Sequence, residues 1–154
     1  YHYLTEGPQG EQSTSIVRAR RIDRTHGELQ VPGGVRRIEF RGDGVTVTGK
    51  DGRSTYLLKE PLSVGNKWRG AQLSWIEVVA VEAPVKVAAG SYAGCVKTSE
   101  QRGGDRPLRI DSTFCPRVGM VLLEASSGMA RERMQLKSYG PPLDLGPDGV
   151  RVIK

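Results

Sequence analysis

The chain is poor in aromatic residues. Two Phe and two Trp stand among 154 residues, so Val, Leu and Ile must supply most of any core. Proteins that stack bases on a sheet interleave aromatic with basic side chains. Aromatics are scarce beside the arginines here, and nucleic acid is disfavoured as a partner. There are only two cysteines, Cys95 and Cys115, and two histidines, His2 and His26. No H-x-x-x-H or cysteine-rich spacing points to zinc, so no metal and no cofactor is expected. No apolar run approaches the roughly 20 residues of a transmembrane helix. The G-x-S-x-G elbow, the phosphate loop and the dinucleotide fingerprint are all missing. Cys95 lacks the local signature of a thiol nucleophile. Asp105 and Asp111 read as surface ion-pair partners rather than an acid–base pair. With no catalytic residues legible, the expectation is a protein that is not an enzyme.

A long, capped segment of helical period is also missing, while glycine (20) and proline (9) are plentiful. Turn residues between short β-branched runs indicate an all-β chain. Its length fits a single β-domain, 1–154, large enough to bury a core. Asp43-Gly44 and Asp51-Gly52 are two-residue hairpin signals. They predict a three-stranded meander, 35–42, 45–50 and 53–59, with Phe40 facing Val47 and Val47 facing Tyr56 in a buried row. His26-Gly27 reads as the start of a loop that Pro32-Gly33-Gly34 closes. The 129–139 segment is ambiguous between helix and strand, and its strand neighbours favour strand. Asp148-Gly149 suggests a last short strand, 150–153. The whole is expected to be an antiparallel meander curled into a barrel-like or strongly bent sheet.

The 85–123 segment holds both cysteines. Strands over 92–101 and 108–115, folded about Asp105, place Cys95 opposite Cys115, Val96 opposite Phe114 and Thr98 opposite Ser112. Non-hydrogen-bonded pairs bring Cα atoms to about 4.5 Å, within disulfide reach. The alternative is two free thiols acting as small buried hydrophobes. Two cysteines do not by themselves settle the redox compartment.

Four segments carry a resemblance. Val87-Ala88-Ala89-Gly90-Ser91-Tyr92-Ala93-Gly94-Cys95-Val96-Lys97 is similar to a V-P-A-G-T-F-x-x-C-x-K-V motif, and Phe114-Cys115-Pro116-Arg117-Val118-Gly119-Met120-Val121 to Y-A-P-G-V-G-L-V. Tyr1-His2-Tyr3-Leu4-Thr5-Glu6-Gly7 is similar to Y-Y-P-L-K-x-G, and Pro61-Leu62-Ser63-Val64-Gly65-Asn66-Lys67-Trp68 to P-L-x-V-G-x-x-W. In this order they resemble a group of β-rich domains of unknown function in bacterial secreted proteins and lipoproteins. Ala88 departs from the motif's proline, and Cys115 has no counterpart in it. The resemblance implies an extracytoplasmic domain, periplasmic, outer-membrane-anchored or secreted, and carries no catalytic residues. With no initiator Met and no signal-like segment, Tyr1 is expected to open a trimmed mature domain, leaving room for a lipid anchor upstream.

Two surfaces are candidates for binding. The net charge of +6 and the arginines Arg18, Arg20, Arg21, Arg36 and Arg37, with Arg41 nearby, suit an anionic polymer; a charged strand face in water is the plainer account. The 73–81 run is apolar at both strand parities. One parity can fill a core, and Trp75, Ile76 and Val78 are candidates to line a groove for an amphipathic envelope lipid; a second covering sheet is the plainer account. A protein partner, or a purely structural interaction role, is the remaining expectation.

Overall fold

The computed structural model describes residues 1–140, 143–146 and 149–152. Apart from one 3-10 turn at Ala71–Leu73, its regular elements are strands: β1 (His2–Glu6), β2 (Gln12–Ile16), β3 (Arg18–Arg21), β4 (His26–Val31), β5 (Gly34–Arg41), β6 (Gly44–Thr48), β7 (Ser54–Lys59), β8 (Lys67–Arg69), β9 (Trp75–Val87), β10 (Gly90–Arg102), β11 (Leu108–Cys115), β12 (Gly119–Ser127), β13 (Ala130–Ser138), β14 (Leu143–Gly146) and β15 (Gly149–Val152). All pair antiparallel. Eight make one sheet in the order β2-β1-β13-β12-β11-β10-β9-β8, five make a second in the order β3-β4-β5-β6-β7, and β14 with β15 is a separate hairpin. The all-β class is as expected. The barrel is not: among the described residues neither sheet is closed by a ladder between its edge strands, and neither curls strongly.

The β10–β11 hairpin has the register expected from its sequence, with Val96 opposite Phe114 and Thr98 opposite Ser112. Cys95 and Cys115 follow, with Cα atoms 4.2 Å apart and sulfurs at 2.10 Å. Both cysteines are buried, and Tyr3, Val87, Val118, Val121, Leu122 and Leu136 pack with them. The 88–89 backbone at the tip of the β9–β10 hairpin folds back over β13, where Ala89 N–H donates to the Leu136 carbonyl at 2.9 Å and Ala88 N–H to Gln135 Oε1 at 3.0 Å. The buried Tyr3 hydroxyl donates to the Met120 carbonyl at 2.8 Å. Burial first, and the neighbouring Tyr1 second, push the Tyr3 phenol up to about 12.

The double apolar parity of β9 has a local cause. Glu82 takes φ 50, and the β9–β10 register shifts around it, the signature of a β-bulge. Before it, Val78 faces inward while Trp75, Val79 and Val81 are exposed. After it the odd positions turn inward, and Ala83 and Val87 are buried.

In the smaller sheet the expected strands form, with a different register. The turn between β5 and β6 sits at Gly42-Asp43, so Phe40 lies opposite Val45 and Ile38 opposite Val47. Gly44 belongs to β6, where a Cβ would run into the Leu58 carbonyl and the Lys59 backbone. A bulge between β6 and β7 then sets Val47 opposite Thr55 and Thr46 opposite Tyr56. Tyr56 therefore leaves the expected Phe40–Val47–Tyr56 row, and its hydroxyl donates to Asp43 Oδ2 at 2.8 Å. The loop expected from His26 is strand β4. Its Gly27 is buried, with the Phe40 ring 3.5 Å from where a Cβ would stand; an aromatic neighbour thus covers a glycine that reads as a breaker in sequence. The ambiguous 129–139 segment is strand β13. The final strand spans Gly149–Val152, so residue 153 of the expected 150–153 strand lies outside the described residues.

Candidate functional site

Charge is concentrated in one part of the molecule. Residues 18–59, which contain the five-stranded sheet, hold ten Lys and Arg against five Asp and Glu, a net +5 of the chain's +6. The strand registers distribute the five candidate arginines over two faces. Glu28 lies opposite Arg20 on β3 and opposite Arg37 on β5, so Arg18, Arg20 and Arg37 share one face. Leu29 lies opposite Ala19 and Arg36, so Arg21 and Arg36 share the other. The separation of Arg18 and Arg20 from Arg21 is the one that strand alternation dictates.

The two faces differ in chemistry. On the first, Arg20 pairs with Glu28 at 2.8 Å and Arg41 with Glu39 at 2.8 Å; the hydrogen bond from Arg41 holds the Glu39 carboxyl below its usual range. Arg18 and Arg37 are exposed and in no ion pair among the described residues. The second face carries Leu29, Ile38, Phe40, Val45, Val47 and Leu58 beside its two arginines. All six are only partly buried, and none belongs to the packed core. Gly27 and Thr46 are the only fully buried residues of the five strands, so among the described residues no packed layer covers this sheet as one covers a sandwich.

Arg21 is the best-held cation of the apolar face. Its guanidinium lies 4.1 Å over the Phe40 ring, a cation–π contact, while Nε donates to the Asp23 carbonyl at 2.6 Å and Nη2 to the Arg24 carbonyl. The turn that presents it is organised by Asp23, whose Oδ1 accepts from Thr25 N–H and His26 N–H, both at 2.7 Å. Those bonds, the Thr25 amide foremost, bring the Asp23 carboxyl down to about 2.

Trp75, Ile76 and Val78 do not line one groove. Val78 is completely buried and Ile76, on the same face of β9, is partly buried. Trp75 has the opposite parity and is 47% exposed. Among the described residues no three metal-ligating side chains cluster, and no helix is long and apolar enough to cross a membrane. The apolar row of the five-stranded sheet was missed as a site in sequence because β4 read as a loop; the alternation of Leu29 with Gln30, and of Ile38 and Phe40 with Glu39, is the signal that marks it.

No family model, curated protein or solved structure matches this chain.

Proposed function

We propose that the chain is a non-enzymatic, extracytoplasmic binding domain whose five-stranded sheet takes an amphipathic, anionic envelope molecule. The observation that carries this reading is the partly exposed apolar face that also carries Arg21 and Arg36. Fully burying a Val, Leu, Ile or Phe side chain stabilises by about 1.5–3 kcal/mol, and this face retains part of that gain for a ligand. A guanidinium donates in a planar fork that suits phosphate or carboxylate. An acyl chain along Ile38 and Val47 with its anionic group at Arg36 uses both properties. The extracytoplasmic setting is supported by the Cys95–Cys115 bond, since structural disulfides persist in oxidising compartments, and by the resemblance to lipoprotein domains.

The test is co-sedimentation with phosphatidylglycerol and phosphatidylcholine vesicles, with anilinonaphthalene sulfonate as an anionic apolar probe. The expected result is probe binding and preference for phosphatidylglycerol, both lost in Ile38→Glu. Native mass spectrometry of protein from a bacterial host is expected to show co-purified lipid. No probe binding, no vesicle preference and no lipid would together overturn the reading.

A second reading rests on Arg18 and Arg37, the exposed and unpaired cations of the opposite face: an anionic polymer bound across the sheet. It requires steep salt dependence, loss on Arg18→Ala with Arg37→Ala, and indifference to Ile38→Glu.

A further inference from the structure

The eight-stranded sheet carries a separate cleft of about 330 Å³, lined by Lys67, Trp75, Glu77, Ser99 and Gln101. That is within the range of small-ligand sites, roughly 300–1,000 Å³. The registers explain why these five meet. Lys67 and Ser99 both lie opposite Glu77, and Gln101 lies opposite Trp75. They form two adjacent rungs across β8, β9 and β10 on one face of the sheet.

Three features of the cleft point to a ligand. First, Trp75 lines the cleft and is 47% exposed, yet its ring is held in place by the Arg69 guanidinium, 4.1 Å from the centroid. Second, Ser99 is only 5% exposed, and its hydroxyl is enclosed with no hydrogen-bond partner among the described residues. A buried hydroxyl left without a partner carries an uncompensated desolvation cost that a ligand hydroxyl would relieve. Third, the charges beside the cleft are compensated. Lys67 meets Glu77 at 3.3 Å and Arg109 meets Asp111 at 3.0 Å. Arg69 is engaged with the indole.

We propose that this cleft is a binding subsite for an uncharged hexopyranose residue of a glycan. A pyranose presents a face of C–H bonds that suits the exposed indole. Its rim of hydroxyls suits alternating donors and acceptors: the Gln101 amide, the Lys67 ammonium, the Glu77 carboxylate and the Ser99 hydroxyl. The same set is a poor site for a nucleic-acid strand, which needs unpaired cations along its path. The cations nearest the cleft, Lys67, Arg69 and Arg109, are already engaged.

The experiment titrates intact protein with cellohexaose, maltohexaose and chitohexaose, reading tryptophan emission in a Trp68→Phe background so that only Trp75 reports. A single-stranded DNA oligonucleotide is the charged comparator. At least one neutral hexasaccharide is expected to shift the emission with little dependence on salt. Trp75→Ala, read by affinity gel electrophoresis, is expected to lose binding by more than about tenfold. Ser99→Ala is expected to weaken it about 2- to 10-fold, the span of one net hydrogen bond, without lowering thermal stability. Ile38→Glu is expected to leave it unchanged, which separates this site from the lipid-binding reading. No response to any of the three glycans, a response unaltered by Trp75→Ala, or binding of the oligonucleotide alone would overturn the proposal.

Discussion

The two large sheets are both antiparallel and both built on hairpins, yet one makes a core and the other does not. Among the described residues, the eight-stranded sheet and its connections supply every buried hydrophobic residue, from Tyr3 to Leu136. The five-stranded sheet supplies only Gly27 and Thr46 to the interior while carrying a net +5. The difference lies in what folds back. In the larger sheet a bulge at Glu82 reverses the inward parity of β9 and the hairpin tip returns over β13, so the sheet supplies its own second layer. The smaller sheet is a meander with tight turns, and nothing in it turns back over its face. It rests on cross-strand pairs and on its attachment through Trp68. This indole, 4% exposed, donates from the edge strand β8 to the Tyr56 carbonyl on the edge strand β7 at 3.0 Å. A single-layer sheet of this kind gains stability by mass action from whatever binds its apolar face.

The contrast is sharpest for single apolar truncations. Leu136 is completely buried, and Leu136→Ala is expected to cost about 2–5 kcal/mol in denaturant unfolding, from lost transfer energy and the cavity left behind. Val47→Ala, on the partly buried row of the smaller sheet, is expected to cost about 1 kcal/mol or less, a fraction of a fully buried methyl pair. Equal costs at the two positions would show that the smaller sheet has a core of its own.

The disulfide comes next. Cys95 and Cys115 are separated by 20 residues, and closing such a loop stabilises by about 3 kcal/mol on the chain-entropy model. In Cys95→Ala with Cys115→Ala, amide exchange is expected to quicken through β10, β11 and β12, with β4 to β6 changing little. Uniform loss of protection in both sheets would mean that they unfold as one unit, and the comparison between them would fail.

These differences were unequally legible in the sequence. The β10–β11 register followed from one loop and was confirmed by two cysteines and an apolar pair, constraints that agree only at one alignment. The β5–β6–β7 strands were equally clear, but their register was not. An Asp-Gly pair names a turn without saying which two residues occupy it, and Gly44 serves the close approach to Leu58 rather than the turn. The bulge that displaces Tyr56 has no sequence mark of its own. Strand β4 was hidden because glycine reads as punctuation, and the ring that covers Gly27 comes from Phe40, thirteen residues away. Strand alternation alone separates Arg18 and Arg20 from Arg21, and Arg36 from Arg37; which of the two sets share a face depends on β4 and so is not legible in the sequence. Trp75 was singled out together with Ile76 and Val78, although strand alternation alone places Trp75 on the other face. Both parities of β9 are apolar, and that obscured which one faces the cleft.

The smallest effect expected is a difference in how the two sheets respond to pH. The Tyr3 phenol rises from an ordinary 10.0 to about 12 through burial. Its contribution is complete below pH 10 and is lost as pH climbs through 12, so alkali should loosen the eight-stranded sheet first. Asp23 runs the other way. Its carboxyl falls from 3.8 to about 2, chiefly through the Thr25 amide. A lowered carboxylate contributes fully above its unfolded value and loses that contribution as pH drops through the folded one. Between pH 4 and pH 2, roughly, the β3–β4 turn should therefore open while the core around Leu136 stays protected. Amide exchange at Thr25 and His26, followed against pH, is the measurement. In Asp23→Asn the side-chain oxygen still accepts those amides but no longer titrates, so the acid response should vanish while the turn persists at neutral pH. An unchanged acid response in Asp23→Asn would place the sensitivity elsewhere in the smaller sheet, with Glu39, held low by its bond from Arg41, the next carboxylate to replace.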